Sequence, residues 1–221
     1  MRQFVILALA LALALALAVP AGAPAQPTTP LTREQALAGL GRSDLEARRQ
    51  AAAWMGEVGR MEDVPALVEV LRDPDPVVRA LGEHALWQVW SRSGDSEIDA
   101  LFQQGVGQMT QRDGPAAIAT FSRIIEKRPE FAEGWNKRAT VYFLMGEYEK
   151  SLADCDEVVK RNPSHFGALS GYGQIYLQLN KPDRALAYFE RALAVNPNLE
   201  QVERMIEELK GLLMQQKKDT I

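Results

Sequence analysis

Residues 131–163 read FAEGWNKRATVYFLMGEYEKSLADCDEVVKRNP, and residues 165–197 read HFGALSGYGQIYLQLNKPDRALAYFERALAVNP. Laid over one another at an offset of 34, the two stretches agree at the positions that shape a helix pair. Trp135 stands over Leu169, Ala139 over Gly173, Tyr142 over Tyr176, Gly146 over Asn180, Ser151 over Ala185, Cys155 over Phe189, Val158 over Ala192 and Pro163 over Pro197. One period upstream the pattern continues with Leu101, Gly105, Ala117, Phe121, Ile124 and Pro129. A fixed period of this length marks a stacked repeat, in which each unit is too small to bury its apolar face alone.

The residue types say how the units stack. A small residue on the first helix of each pair (Gly105, Ala139, Gly173) lets the second helix approach. A second small residue on the partner helix (Ala117, Ser151, Ala185) answers it, and the large residues fill the space between neighbouring pairs. Strand-type alternation is missing, and Gly and Pro fall at regular breaks. Gly146 and Asn180 end first helices, where a left-handed residue is wanted. Pro182 suits the first turn of the helix that follows.

These residues resemble the tetratricopeptide repeat. The second copy carries Trp135, Ala139, Tyr142, Gly146, Tyr148, Ser151 and Pro163. The third carries Leu169, Tyr172, Gly173, Tyr176, Ala185, Phe189, Ala192 and Pro197. The first copy departs from the family pattern at Gln104 and Gln108, where Leu and Tyr are usual. The resemblance covers residues 98–198 and implies an all-α fold, an α-solenoid of helix–turn–helix repeats wound as a right-handed superhelix. The repeats are expected at 98–131, 132–165 and 166–199. A capping helix should follow at 200–214, with Val202, Ile206, Leu209 and Leu213 on one face, and a polar tail at 215–221.

A second periodicity of 31 precedes them, within residues 31–94: Leu40 with Leu71, Asp44 with Asp75, Arg48 with Arg79, Met55 with Leu86, Val58 with Val89. The stretch Leu71 to Arg79 resembles the turn and second-helix start of HEAT-like repeats, in which Asp and Arg of adjacent units form a ladder. Asp44, Asp75, Arg48 and Arg79 match those places. Trp87 and Trp90, three residues apart on one helix face, are expected to form core where the two arrays join.

The N-terminus follows another logic. Met1 and Arg2 precede an unbroken apolar run from Phe4 to Val19, and small residues and prolines come next. That is the layout of a secretory signal peptide over residues 1–25, cut after Ala25, with 26–30 as linker. The run is shorter than the roughly 20 residues that span a bilayer, which favours cleavage over an uncleaved membrane anchor. The protein is therefore expected to be exported, periplasmic or secreted, with no stable membrane insertion after cleavage. The lone cysteine, Cys155, has no partner for an internal disulfide, and its repeat position makes it a small buried hydrophobe.

Hydrophobic residues make up 47% of the chain, charged residues 24%, and the net charge is -4. A mildly acidic chain without a basic cluster cannot neutralise phosphates, so nucleic acid is not the expected partner. Two isolated histidines, His84 and His165, and one cysteine make no spaced metal site. No nucleophile elbow, zinc helix or phosphate loop is present. Acid pairs such as Asp154 with Asp156 point to different helix faces. No catalytic residues, metal or cofactor are expected. Some HEAT-like proteins are bilin lyases, but only fold analogy would support that reading here.

The tetratricopeptide resemblance implies a concave groove lined by the first helix of each pair. By register its residues are Asp99, Phe102, Val106 and Met109, then Glu133, Asn136, Thr140 and Phe143, then Gly167, Ser170, Gln174 and Leu177. Family members that clamp a chaperone's C-terminal carboxylate place Lys, Asn and Arg there. The matching places here hold Phe102, Val106, Thr140, Ser170 and Gln174, with Lys137 and Arg138 one step off the register. A carboxylate clamp is therefore not expected. A protein or peptide segment with apolar anchors and neutral polar contacts is the expected occupant, and self-association through exposed repeat ends is the alternative.

Overall fold

The protein is represented by a computed structural model that describes residues 30–219. The proposed signal peptide, all but the last residue of the linker, and the final two residues lie outside the described residues. Those described are helical, with no strand among them.

Four helices build the N-terminal segment: α1 (Arg33–Gly39), α2 (Leu45–Val58), α3 (Val64–Val70) and α4 (Pro76–Trp90). Capping side chains fix where they start. Thr32 and Gln35 form a reciprocal capping box on α1, Asp44 accepts from the Ala47 N–H, and Asp75 accepts from the N–H groups of Val77 and Val78. The Asp–Arg ladder between turns is present but shifted from its sequence expectation. Arg48 grips Asp73 at 2.7 Å and Arg49 grips Asp75 at 2.9 Å. Arg79 donates instead to the backbone carbonyls of Asp73 and Pro74, and Asp44 serves only its own helix. The ladder thus uses the acids of one turn twice, because Arg48 and Arg49 both face it from α2.

Three helix pairs follow: α5 (Ser96–Thr110) with α6 (Gly114–Lys127), α7 (Ala132–Leu144) with α8 (Tyr148–Arg161), and α9 (Phe166–Gln178) with α10 (Pro182–Val195). The last helix, α11 (Glu200–Asp219), packs Ile206 and Leu209 against Ala185 and Phe189 of α10 and runs through residues 215–219, which the sequence reading places in a tail.

The small slots work by close approach. A Cβ on Gly105 would come within 2.6 Å of the Phe121 ring, and one on Gly173 within 2.4 Å of the Phe189 ring. In the middle repeat the slot holds Ala139, and the residue across from it is the smaller Cys155. Glycine faces phenylalanine twice, and alanine faces cysteine once, so the volume at each helix crossing is conserved by exchange between the two helices.

The turns inside the pairs share one backbone conformation. Arg112, Gly146 and Asn180, spaced by 34, all have positive φ, at 60°, 76° and 52°. Glycine and asparagine take this region readily and arginine does not. Arg112→Gly should therefore stabilise the protein by about 1 kcal/mol, and Gly146→Ala should destabilise it by a similar amount. Urea midpoints of the two variants check this; equal effects of the same sign would refute the shared turn.

The N-terminal segment lies against the turns between repeats. Arg72 donates to the carbonyl of Ala194 at 2.5 Å, Asn198 donates to the carbonyl of Leu71 at 2.8 Å, and Asn196 donates to Glu83 at 3.1 Å. Phe166 at the start of α9 is buried with Trp90, Leu86 and Met55 in one cluster, with partly buried Trp87, Val195 and Leu199 packed at its edge. Trp87 and Trp90 are thus core at the junction, as their spacing predicts.

Candidate partner-binding face

The first helices of the repeats, α5, α7 and α9, present the twelve positions read as the groove. They fall in four rows, each row being one register position repeated at intervals of 34. The structure divides the rows into two halves.

The half nearest the helix N-termini is closed. In the first row Asp99 is half-buried and accepts from the backbone N–H and hydroxyl of Ser93 at 2.8 and 2.7 Å. Glu133 in the same row has no exposed surface. Gly167 completes the row, and a Cβ there would meet the tip of Trp87 at 2.6 Å. In the second row Phe102 packs among Phe121 and Phe131, Asn136 donates to Glu133 at 2.6 Å, and Ser170 donates to the carbonyl of Phe166 at 2.8 Å. All three of these are buried. Trp87 covers part of this half: besides Gly167, its ring lies 5.9 Å from the Lys137 ammonium.

The half nearest the helix C-termini is partly open. Val106, Thr140 and Gln174 form its third row, and Met109, Phe143 and Leu177 its fourth, and each is half-exposed. Each apolar member rests one side on its own repeat: Val106 and Met109 on the α5–α6 core, Phe143 near Tyr148, Leu177 near Phe189. The Thr140 hydroxyl donates to the carbonyl of Asn136 at 2.9 Å and keeps its lone pairs for a ligand. No charged side chain belongs to either row. Arg138 is directed away to Asp154 of α8, with two bonds of 2.7 and 2.8 Å, so it is already committed inside the repeat.

Beneath the closed half lies a polar cluster that the sequence reading did not find. His165 caps α9: its Nδ1 accepts from the Ala168 N–H at 3.1 Å, which leaves the proton on Nε2. Nε2 faces the Glu133 carboxylate at 3.5 Å, and both side chains are fully buried. Trp90 stacks on the imidazole with centroids 4.4 Å apart. Burial by itself raises the Glu133 pKa; the Lys137 ammonium, His165 and the Asn136 amide outweigh it and bring the pKa down to about 2. The residues are 32 apart in the sequence, one inside the groove register and one outside it, and no motif links them. The other histidine, His84, is exposed beside Gln88. Cys155 is buried, and burial next to Asp154 and Asp156 pushes its thiol up to about 12, so it is not a nucleophile at neutral pH.

Comparison with known proteins places this geometry. A family model described as tetratricopeptide repeat matches residues 130–198. A TPR repeat-containing protein of Rhizobium etli is 34% identical over 156 residues, which is 69% of this chain and 76% of that protein. Anaphase-promoting complex subunit 3 of Schizosaccharomyces pombe is 31% identical over 88 residues, covering 40% of this chain and 13% of that subunit. Among solved structures, the first TPR of Spaghetti bound to an HSP90 peptide superposes with a TM-score of 0.52 at 24% identity, covering 54% of this chain and 96% of that one. The MamA protein superposes with a TM-score of 0.50 at 17% identity over 71% of this chain and 87% of that one. At these identities the structural likeness is one of fold.

Proposed function

The chain belongs to the tetratricopeptide-repeat family, and on that premise we propose that it is an exported, non-catalytic scaffold that holds a segment of a partner protein on the open half of its concave face. The observation that carries this reading is the pair of half-exposed rows, Val106–Thr140–Gln174 and Met109–Phe143–Leu177. They set apolar anchors beside neutral hydrogen-bonding groups on the first helices of three successive repeats. A segment laid across them would bury apolar side chains and meet no fixed charge. The Spaghetti structure holding an HSP90 peptide supports a peptide as occupant, while the absence of Lys and Arg from these rows argues for a different peptide chemistry.

The non-catalytic reading is supported by the state of the reactive groups. His165 is enclosed, Cys155 is held as the thiol, and Glu133 has no exposed surface. Export is supported by residues 1–25 as a sequence pattern, and mass spectrometry of the processed N-terminus checks it: a first residue other than Gln26 moves the cut, and an intact Met1 favours the anchor.

The face is tested by a photo-crosslinking residue placed at Phe143 and, as control, at the exposed Ala153 on α8. The expected outcome is capture of a defined partner at Phe143 alone. The double variant Phe143→Ser with Leu177→Ser should weaken retention at least tenfold, the size of a lost apolar anchor. Equal capture at both positions, or unchanged retention by the double variant, sinks this face. A second reading, self-association, is favoured by Leu144, 61% exposed, next to Met145, 46% exposed, at the end of α7. Sedimentation of a strict monomer at high concentration removes it.

A further inference from the structure

A cavity of about 50 Å³ lies where the N-terminal segment meets the turns on either side of the second repeat, lined by Met61, Trp90, Arg92, Glu130, Arg161 and Asn162 among others. Roughly 10–15 Å³ of such space admits a water, so the cavity takes a group of about three heavy atoms. Met61 and Glu130 are exposed, so it reaches the surface.

Its polar lining is mostly donors. Trp90 and Asn162 are each 3% exposed, and the indole Nε1 of one and the amide Nδ2 of the other are buried with no acceptor. Unpaired buried donors of this kind are uncommon and costly. Arg92 uses two of its five N–H groups on the carbonyls of Glu57 and Gly59 at 2.6 and 3.0 Å. Arg161 uses Nε on the Pro129 carbonyl and Nη1 on Glu157, which leaves its second Nη.

The repeats themselves show what this position binds. Arg128, Asn162 and Asn196 occupy one register position at intervals of 34. Arg128 donates to the Asp95 carboxylate at 2.8 Å, and Asn196 donates through Nδ2 to the Glu83 carboxylate at 3.1 Å. At both turns a carboxylate from an earlier element meets this side chain, Asp95 from the N-cap of α5 and Glu83 from α4. At the middle turn none does, and the cavity stands in its place between two guanidiniums.

We propose that this cavity is a binding site for a carboxylate supplied by a ligand, with Trp90 Nε1 and Asn162 Nδ2 as its direct donors and Arg92 and Arg161 as its compensating charges. The site is separate from the open concave rows and stands or falls independently of them. The carboxylate could belong to a free small acid or to a chain terminus, which share this chemistry.

Sodium acetate titrated into 15N-labelled protein tests the proposal, against sodium chloride at equal ionic strength. The expected result is a saturable downfield shift of the Trp90 indole N–H, identified by its loss in Trp90→Phe. The Trp54 indole, also buried and without an acceptor but away from this cavity, should stay fixed. Glu130→Gln, an exposed change that removes the one like charge in the lining, should tighten acetate several-fold, and Asn162→Ala should weaken it about tenfold. Triglycine with a free C-terminus, compared with its amide, separates the sources. Binding of the free form with acetate admits a chain terminus, whereas acetate alone restricts the site to small acids. No saturable shift with either probe, an equal shift in chloride, or no change in Glu130→Gln overturns the proposal and leaves the cavity to ordered water.

Discussion

Phe166→Ala is expected to lower the free energy of unfolding by about 3–5 kcal/mol, the range for emptying a fully buried phenylalanine site. Phe166 is 2% exposed and is the first residue of α9, yet its contacts belong to the other end of the chain. Its ring lies 5.3 Å from Trp87 and 5.1 Å from Trp90 of α4, each edge-on or tilted. The equivalent position one repeat earlier is Ala132, and two repeats earlier Ile98. Ile98 is buried within its own repeat pair, whereas Phe166 is buried against the N-terminal segment. The bulk exists because the N-terminal segment folds onto this turn. The loss should therefore appear in both parts of the molecule, as one urea transition moved to lower denaturant and followed equally by tryptophan fluorescence and helical ellipticity. A loss below about 1.5 kcal/mol, or a split transition in the unmutated protein, would show that the two arrays are independently stable.

That contact also marks the boundary between what can be read from the sequence and what cannot. The repeats are legible because their constraints are local: a small residue at 105, 139 and 173 and a left-handed turn at 146 and 180 each follow from one helix pair, whereas the same turn at Arg112 is carried by a residue type that does not announce it. The cysteine fits the same logic, since Cys155 faces Ala139 where phenylalanines face glycines. The groove positions come from family resemblance, and their register divides them into four rows. Their accessibility does not follow, because Trp87 and the bonds closing the N-terminal half come from residues set by tertiary packing. Phe102 shows the consequence. It stands in the groove register, but its ring is locked between Phe121 and Phe131, so truncating it reports on stability and not on binding. The shifted Asp–Arg ladder has a similar origin. The 31-residue offset aligns Asp44 with Asp75 and Arg48 with Arg79, but which acid an arginine reaches depends on helix rotation, and both arginines of α2 face the same turn.

Glu133→Gln is expected to remove about 3 kcal/mol of stability at neutral pH and to flatten its acid dependence. The carboxylate is fully buried, and its pKa in the folded protein is held down to about 2, against 4.5 for an unperturbed glutamate. At about 1.4 kcal/mol per pKa unit, a depression of this size corresponds to roughly 3 kcal/mol. The sign follows from which state binds the proton more tightly. A group with a depressed folded pKa protonates first in the unfolded chain, so its contribution is fully present above pH 4.5 and is lost as the pH falls towards 2. The substituted amide would keep the shape of the side chain and a hydrogen-bond acceptor for Asn136, so lost packing would not explain a difference. Urea melts at intervals between about pH 3 and pH 7 distinguish the cases. The unmutated protein should lose stability faster than the variant as the pH falls, and the two curves should converge at the acid end. Parallel curves would mean that Glu133 binds its proton equally well folded and unfolded, and that Lys137 and His165 do not hold its charge in the fold.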